Sequence, residues 1–411
     1  MPVATTSGDA SYVPILTLHG HSRSIAALAF SPCGLYIASA GADAALRVWR
    51  VGVHAASAGS AASASGAPDA ALRTIRRAHE LGINHLAWSS DGRYIATASD
   101  DRSVRVWDWR KGTQARLFEG HTSYVFCLAY NPQSTLIASG GFDETIRLWD
   151  VRRKTDQCHR TIPAHSEAVT GLDFSRDGAT IASCSYDGLI RLWSTSTSHC
   201  LKTLLPPDSK PVSYVHFTPS SNHLLAASLD STIRLWDVPN DRVLKTYTGH
   251  RNVKWAIPAA LTRATPLSDE EGKRHPRDAE MRHRNLPSIH VVAGSEDNRI
   301  YLWDLQTKEV RHVVEGHKEP VICIATHPTQ DIIASASLDV TPTIKIWELR
   351  GPAARPTDVL EAPAEIAQSQ DAAGSEVQPR DAAGSEAQPE QVETVDVVER
   401  QDEQMSDAAM Q

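Results

Sequence analysis

The 411-residue sequence predicts an all-β fold: a closed ring of seven four-stranded sheets, locked by the chain's own N-terminal strand. Three observations predict it. A five-residue string with tryptophan in fourth place recurs seven times. An aspartate and a histidine stand at near-constant distances before that tryptophan. Between these landmarks, apolar and polar residues alternate with the period of a strand.

The strings are LRVWR at 46–50, VRVWD at 104–108, IRLWD at 146–150, IRLWS at 190–194, IRLWD at 233–237, IYLWD at 300–304 and IKIWE at 344–348. Their tryptophans are Trp49, Trp107, Trp149, Trp193, Trp236, Trp303 and Trp347, spaced 58, 42, 44, 43, 67 and 44 residues apart. Asp43, Asp101, Asp143, Asp187, Asp230 and Asp297 each stand six residues before their tryptophan, and Asp339 stands eight before Trp347. His21, His79, His121 and His165 lie 28 residues before theirs, with His250 and His317 at longer gaps. A period near 43 residues, with GH at the start and WD at the end, is that of the WD-repeat β-propeller.

Each element follows in order. Val13–Leu18 is an apolar strand with no repeat of its own, while the last repeat has only three strands; the first strand is expected to complete the seventh sheet. Within a repeat the pattern is strand–turn–strand–turn–strand, as in YVFCLAY, NPQS, TLIASGG, FDE and TIRLWDV at 124–151. One such sheet would leave both faces wet, and stacking seven around an axis buries them. Ser39, Thr97, Ser139, Ser183 and Ser335 lie four residues before the turn aspartate, so His, Ser/Thr, Asp and Trp are expected to satisfy one another inside each blade. Blades five and six carry Ala226 and Ala293 instead, and blade five lacks the histidine, so that network is expected to be given up there as a set. The propeller is thus placed at 13–350. A low-complexity insertion at 54–69 is expected to lengthen the first inter-blade connection, and a charged one at 261–286 to separate two strands of blade six. Lys273, Arg274, His275 and Arg277 in the latter read as a solvated insertion or as a nuclear-import signal. Residues 351–411 hold 14 acidic and 3 basic residues and no aromatic one, and repeat DAAGSE at 371–376 and 381–386; a disordered acidic tail is expected.

Composition excludes several function classes. Without the tail, 38 basic residues face 35 acidic ones, too even a balance for a protein that grips nucleic acid through its phosphates. No run of about 18 apolar residues predicts a membrane span, and Met1–Tyr12 lacks the basic start of a secretory signal; a soluble intracellular protein is expected. Cys33, Cys127, Cys158, Cys184, Cys200 and Cys323 form no CxxC pair, so neither a metal site nor a disulfide framework is expected. There is no Walker loop, GxSxG or HExxH, and no GxGxxG after a strand. Ser, His and Asp do co-occur, but in five copies, whereas a catalytic triad occurs once. The sequence reads as a binding protein without cofactor.

Propeller ligands sit at the ends of the central channel. Residues before the innermost strand and around the turn aspartate should face its mouth: Asn84, Asp100, Tyr124, Phe126, Phe142, Thr170, Tyr186, Ser213, Tyr214 and Trp255. Aromatic faces beside a carboxylate suit a cation.

The strings YVFCLAYNPQSTLIASGGFDETIRLWDV, SRDGATIASCSYDGLIRLW, LKTYTGH and GSEDNRIYLWDLQTKEV closely resemble the WD-repeat subunit of the histone H3 lysine-4 methyltransferase complex, the COMPASS (MLL/SET1) family. The resemblance spans 13–350 apart from the insertions. It implies a nuclear, non-catalytic scaffold, monomeric within a hetero-complex. One channel mouth would take an arginine from the histone H3 N-terminus or from a SET-domain methyltransferase. Matching positions are Ala42, Gly82, Ile83, Asn84, Asp100, Phe126, Thr170, Tyr186, Ser213 and Ile322. The opposite face would bind another core subunit through Ser220, His223, Leu235, Lys245 and Gln306. Of the two phenylalanines that sandwich the arginine in the family, Phe126 matches one, and Pro258 stands at the other. Asn84 replaces a serine and Ala256 a cysteine, while Ser220 and His223 replace an asparagine and a tyrosine. A WD-repeat adaptor of another machine, such as a ubiquitin ligase or an RNA-processing particle, is the alternative reading.

Overall fold

The computed structural model describes residues 11–51, 71–153, 156–262 and 289–350. Among them lie 28 β-strands and no helix. Blade one joins β2 (Ile25–Phe30), β3 (Tyr36–Gly41), β4 (Leu46–Arg50) and β5 (Arg73–Ile75) in chain order from channel to rim. The next five blades run likewise from inner strands β6 (Ile83–Trp88), β10 (Val125–Tyr130), β14 (Val169–Phe174), β18 (Val212–Phe217) and β22 (Ala259–Leu261). Blade seven combines β26 (Val321–Thr326), β27 (Ile332–Ser337) and β28 (Thr343–Arg350) with β1 (Ser11–His19). The expected closure is present: β1 pairs antiparallel with β28 from Ser11 opposite Arg350 to His19 opposite Thr343. A first strand given to the last sheet brings it to the four strands of the other blades and ties the two ends of the ring together.

The core lies between blades. Leu18, Ile25, Ile37 and Trp49 pack with Cys323, Ala334 and Ile346 across the closure seam, and equivalent clusters fill the other inter-blade spaces. Small residues on the second strands, such as Ala38, Ala96, Ala138 and Ala182, are fully buried and let adjacent sheets approach.

The polar network forms in five blades. In blade one His21 Nε2 lies 2.7 Å from Ser39 Oγ, His21 Nδ1 lies 2.9 Å from Asp43, and Trp49 Nε1 donates to Ser39 Oγ at 2.8 Å. Blades two, three and four repeat this around Thr97, Ser139 and Ser183. These serines and threonine are fully buried and capped by an indole, so the arrangement shares a triad's bonding without an attackable hydroxyl. Burial alone would raise the Asp143 pKa, but hydrogen bonds from His121, Thr145 and the Thr122 amide lower it to about 2. In blade seven the insertion at Thr341–Pro342 displaces the aspartate: Ser337 Oγ enters between His317 Nδ1 (2.8 Å) and Asp339 (2.6 Å).

Two expectations require correction. Residues 54–69 do not lengthen an inter-blade connection. They fall between β4 and β5, the third and fourth strands of blade one, whose outer strand resumes at Arg73. The blade-six insertion starts later than 261, because Leu261 pairs with Val291 and Thr262 bonds His290. Blade five gives up the network as expected: Ala226 offers no hydroxyl and Trp236 Nε1 is buried without a partner, while Arg234 bonds Asp230 at 2.7 Å and Asp208 at 3.2 Å. The tail at 351–411 lies outside the described residues.

Candidate functional site

Two rings of residues define the upper channel mouth, and the backbone fixes both. Six inner strands carry a register shift at their second residue, between Ile25 and Ala27, Ile83 and His85, Val125 and Cys127, Val169 and Gly171, Val212 and Tyr214, and Val321 and Cys323. Such a bulge takes one residue out of the pleat alternation and re-aims it. The displaced residues are Ala26, Asn84, Phe126, Thr170, Ser213 and Ile322. Blade six has no bulge; Pro258 occupies the place just before β22, where a residue without an N–H loses no ladder bond.

The second ring is the residue just before each turn aspartate. Its N–H donates to a carbonyl in the loop before the blade's own inner strand: Ala42 to Ser24, Asp100 to Gly82, Phe142 to Tyr124, Tyr186 to Ala168, Leu229 to Pro211, Glu296 to Arg251 and Leu338 to Pro320. One such clamp per blade holds the rim.

On this frame the blades two and three sector concentrates chemistry. Asn84 Nδ2 donates to Asp100 Oδ1 at 2.7 Å and to Val125 O at 3.0 Å, tying the blades together and orienting the carboxylate. Gly82 lies in the seam: a Cβ there would stand 3.4 Å from Ala42 Cα and 3.6 Å from an Asp100 oxygen. Phe126 meets Phe142 edge-on, with centroids 6.2 Å apart. Tyr124, Phe142 and Tyr186 are 49%, 58% and 38% exposed, a large apolar display for single loop residues. Thr170 spends its hydroxyl on Val212 O at 2.6 Å and Ser213 on Ala227 O at 3.2 Å, so both shape the mouth rather than offer donors.

Some expected mouth residues lie elsewhere. Tyr214 is one residue past the bulge and packs against the core between blades five and six. The Ile83 side chain is fully buried, leaving only its backbone near the mouth. Trp255 stands on the blade-six loop with Lys254 Nζ 4.7 Å from its ring centroid, so an internal cation already covers one face.

The lower face holds an apolar cavity of about 600 Å³ between blades five, six and seven. It gathers all five expected second-partner residues, Ser220, His223, Leu235, Lys245 and Gln306, beside Leu244, Leu261, Ile289 and Leu305. Lys245 Nζ donates to Leu305 O at 2.8 Å and Gln306 O at 3.0 Å.

The family model of the WDR5 beta-propeller domain matches residues 17–348, most of the chain. This chain belongs to the WDR5 beta-propeller family. Among curated relatives, pre-mRNA-splicing factor cwf17 of Schizosaccharomyces pombe is 28% identical over 80% of this chain and 86% of its own length. COMPASS component SWD3 of Saccharomyces cerevisiae is 33% identical over 32% of this chain and 41% of its own. The chromatin assembly factor 1 subunit FAS2 homolog of Oryza sativa is 32% identical over 28% of this chain. Several matches span little of the relative: 21% of that FAS2 homolog, and 13% of a probable beta' coatomer protein of S. pombe.

Within this WDR5-type propeller, sequence reasoning missed Glu296. Its Oε1 accepts the amides of Val253, Lys254 and Trp255 at 2.9, 2.6 and 3.2 Å, holding the blade-six loop against the mouth. Burial is the largest single influence and opposes its charge, but the three amides and Arg251 together outweigh it and lower its pKa. The signal was present, since Glu296 precedes Asp297 as Asp100 precedes Asp101.

Proposed function

We propose that this chain is a non-catalytic scaffold and peptide-binding subunit of a nuclear histone H3 lysine-4 methyltransferase complex. In this reading the upper mouth takes an arginine-bearing peptide from histone H3 or from the SET-domain methyltransferase, and the lower cavity receives a second core subunit. One observation carries it: Phe126 and the Asn84-oriented Asp100 carboxylate converge at a mouth rimmed by exposed Tyr124, Phe142 and Tyr186. A guanidinium can place its flat face on Phe126 while its N–H groups reach acceptors below. The partial likeness to the COMPASS component SWD3 supports the same complex.

A second reading has its own support. The likeness to splicing factor cwf17 runs along 80% of this chain, far more than that to SWD3, and favours a scaffold in an RNA-processing particle. Affinity purification of the full chain from nuclear extract separates the two. Recovery of a SET-domain protein and lysine-4 methyltransferase activity is expected. Recovery of splicing subunits without either would move the assignment to the second reading.

A further inference from the structure

The turn between β8 (Ser103–Asp108) and β9 (Thr113–Glu119) of blade two carries charge that the repeat does not require. In blades four, five and six the same turn, at 194–199, 237–242 and 304–309, is neutral or holds one net negative charge. In blade two it reads Asp-Trp-Arg-Lys-Gly-Thr, and two further arginines reach it from neighbouring elements. Arg73, at the start of β5 in blade one, donates from Nη2 to Arg110 O at 2.6 Å. Arg93 Nε and Lys111 Nζ stand 3.8 and 3.9 Å from the same oxygen of Asp108. Arg73, Arg93, Arg110 and Lys111 are all exposed. Two carboxylates answer these four cations. Asp108 is buried and meets its two cations only at long range. Asp91 Oδ1 is taken by Ser89 Oγ at 2.5 Å and by the Arg93 amide at 3.0 Å. One short turn is left with an excess of positive charge.

The backbone beneath it is fixed. Gly112 N donates to Asp108 O at 2.8 Å, with Gly112 in the left-handed region at φ 74°. Trp109 turns inward, giving its Nε1–H to Gly92 O at 2.9 Å and packing with centroids 4.8 Å from Tyr36 and 5.8 Å from Trp88. Arg110 and Lys111 project from this anchored turn, and the Arg110 guanidinium lies 5.6 Å from the Trp109 ring centroid. Cations held in place lose less freedom when an anion binds.

The number of cations selects the anion. A lone carboxylate engages one guanidinium fork, whereas several cations at one turn suit a group with about two charges and three acceptor oxygens. Nucleic acid fits less well. A single strand is held by stacking bases on exposed rings, and Trp88 and Trp109 are 8% and 4% exposed. A duplex needs a longer positive field than one turn supplies.

We propose that Arg73, Arg93, Arg110 and Lys111 form a docking surface for a phosphorylated serine or threonine on a partner segment. The turn is the counterpart in blade two of the one that carries Gln306 in blade six, so it lies on the lower side, across the ring from the cavity of blades five to seven. It rests on neither the upper mouth nor that cavity.

The test is fluorescence anisotropy of the full chain with labelled Gly-Ala-pSer-Ala-pSer-Ala-Gly, its unphosphorylated twin and labelled decauridylate. The phosphopeptide should bind at least about tenfold tighter than its twin, as one or two charge-assisted bonds would give. Arg110→Ser combined with Lys111→Ser should weaken it about tenfold, with the melting temperature unchanged. Arg242→Ser combined with Lys318→Ser removes two exposed cations elsewhere and should leave binding within about twofold. If the first pair lowers the melting temperature, Arg93→Gln, on a separate turn, decides; it should weaken the phosphopeptide about threefold. Equal binding of phosphopeptide and twin, or equal losses from both double variants, would overturn the proposal. Tighter binding of decauridylate, lost in the Arg110 and Lys111 variant, would overturn it in favour of a nucleic-acid surface.

Discussion

In the proposed arginine slot Phe126 would supply one flat wall, and Pro258, at the position of the second, has no aromatic face to offer. Trp255 does not replace it, since Lys254 lies over its ring. Phe126→Ala should weaken an arginine-bearing histone H3 peptide by at least about tenfold, because cation–π attraction and packing are lost together. Pro258→Phe should tighten the same peptide by supplying the second wall; calorimetry on both variants decides. Equal binding by wild type and Phe126→Ala would end the arginine reading. A second residue-scale case is His250. Both its ring nitrogens are buried without a partner, and burial holds its pKa near 4. Ala293, 2% exposed, stands where other blades have the bridging hydroxyl. Ala293→Ser should raise the melting temperature by about 2 °C, as a buried hydrogen bond of about 1 kcal/mol would in a domain this large. No change would mean the hydroxyl fails to reach His250.

At the scale of strands, the repeat was legible because tryptophan, aspartate and histidine recur at fixed separations and each has a packing or bonding duty. What escaped were features that break the period. The outer strand of blade one is only three residues, Arg73–Ile75, so nothing in its alternation revealed that the Ala/Ser/Gly insertion interrupts a blade. The bulge that re-aims Asn84 and Phe126 is a backbone slip without a residue signature, so Tyr214, one residue further on, looked equivalent to them and is not. Asp331, at the turn into β27, is another local departure. Its Oδ1 is buried without a partner and desolvation raises its pKa from 3.8 to about 6. A raised carboxyl pKa means the folded chain holds a proton that the unfolded chain releases, so stability falls as the pH rises from about 4 to about 6. Asp331→Asn should therefore raise the melting temperature at pH 7.5 by about 2 °C, a modest figure because the carboxyl is only half enclosed. The gain should vanish by pH 4. An equal gain at both values would mean the carboxylate charge is not its source.

For the molecule as a whole, the ring is held shut by one strand. β1 contributes eight paired positions against β28 and buries Tyr12 and Leu18. Ladder bonds of about 1 kcal/mol each, with about 1.5–3 kcal/mol for each large buried side chain, together match the whole stability of an ordinary domain. Removing residues 1–19 from a chain ending at Arg350 should therefore leave blade seven with three strands and β28 bared, and the ring should unfold or aggregate. The register shows how to separate loss of the strand from loss of its position in the chain. Ser11 lies opposite Arg350, so residues 11–19 appended after Arg350 through a short Asn-Gly turn would form an ordinary antiparallel hairpin and refill the same edge. That permuted chain should recover most of the melting temperature of residues 1–350, and the deletion alone should not. If the permuted chain melts as low as the deletion, the native closure depends on chain order rather than on the strand. If the deletion melts as high as residues 1–350, the seam contributes little, and the six continuous blades hold the seventh in place by inter-blade packing alone.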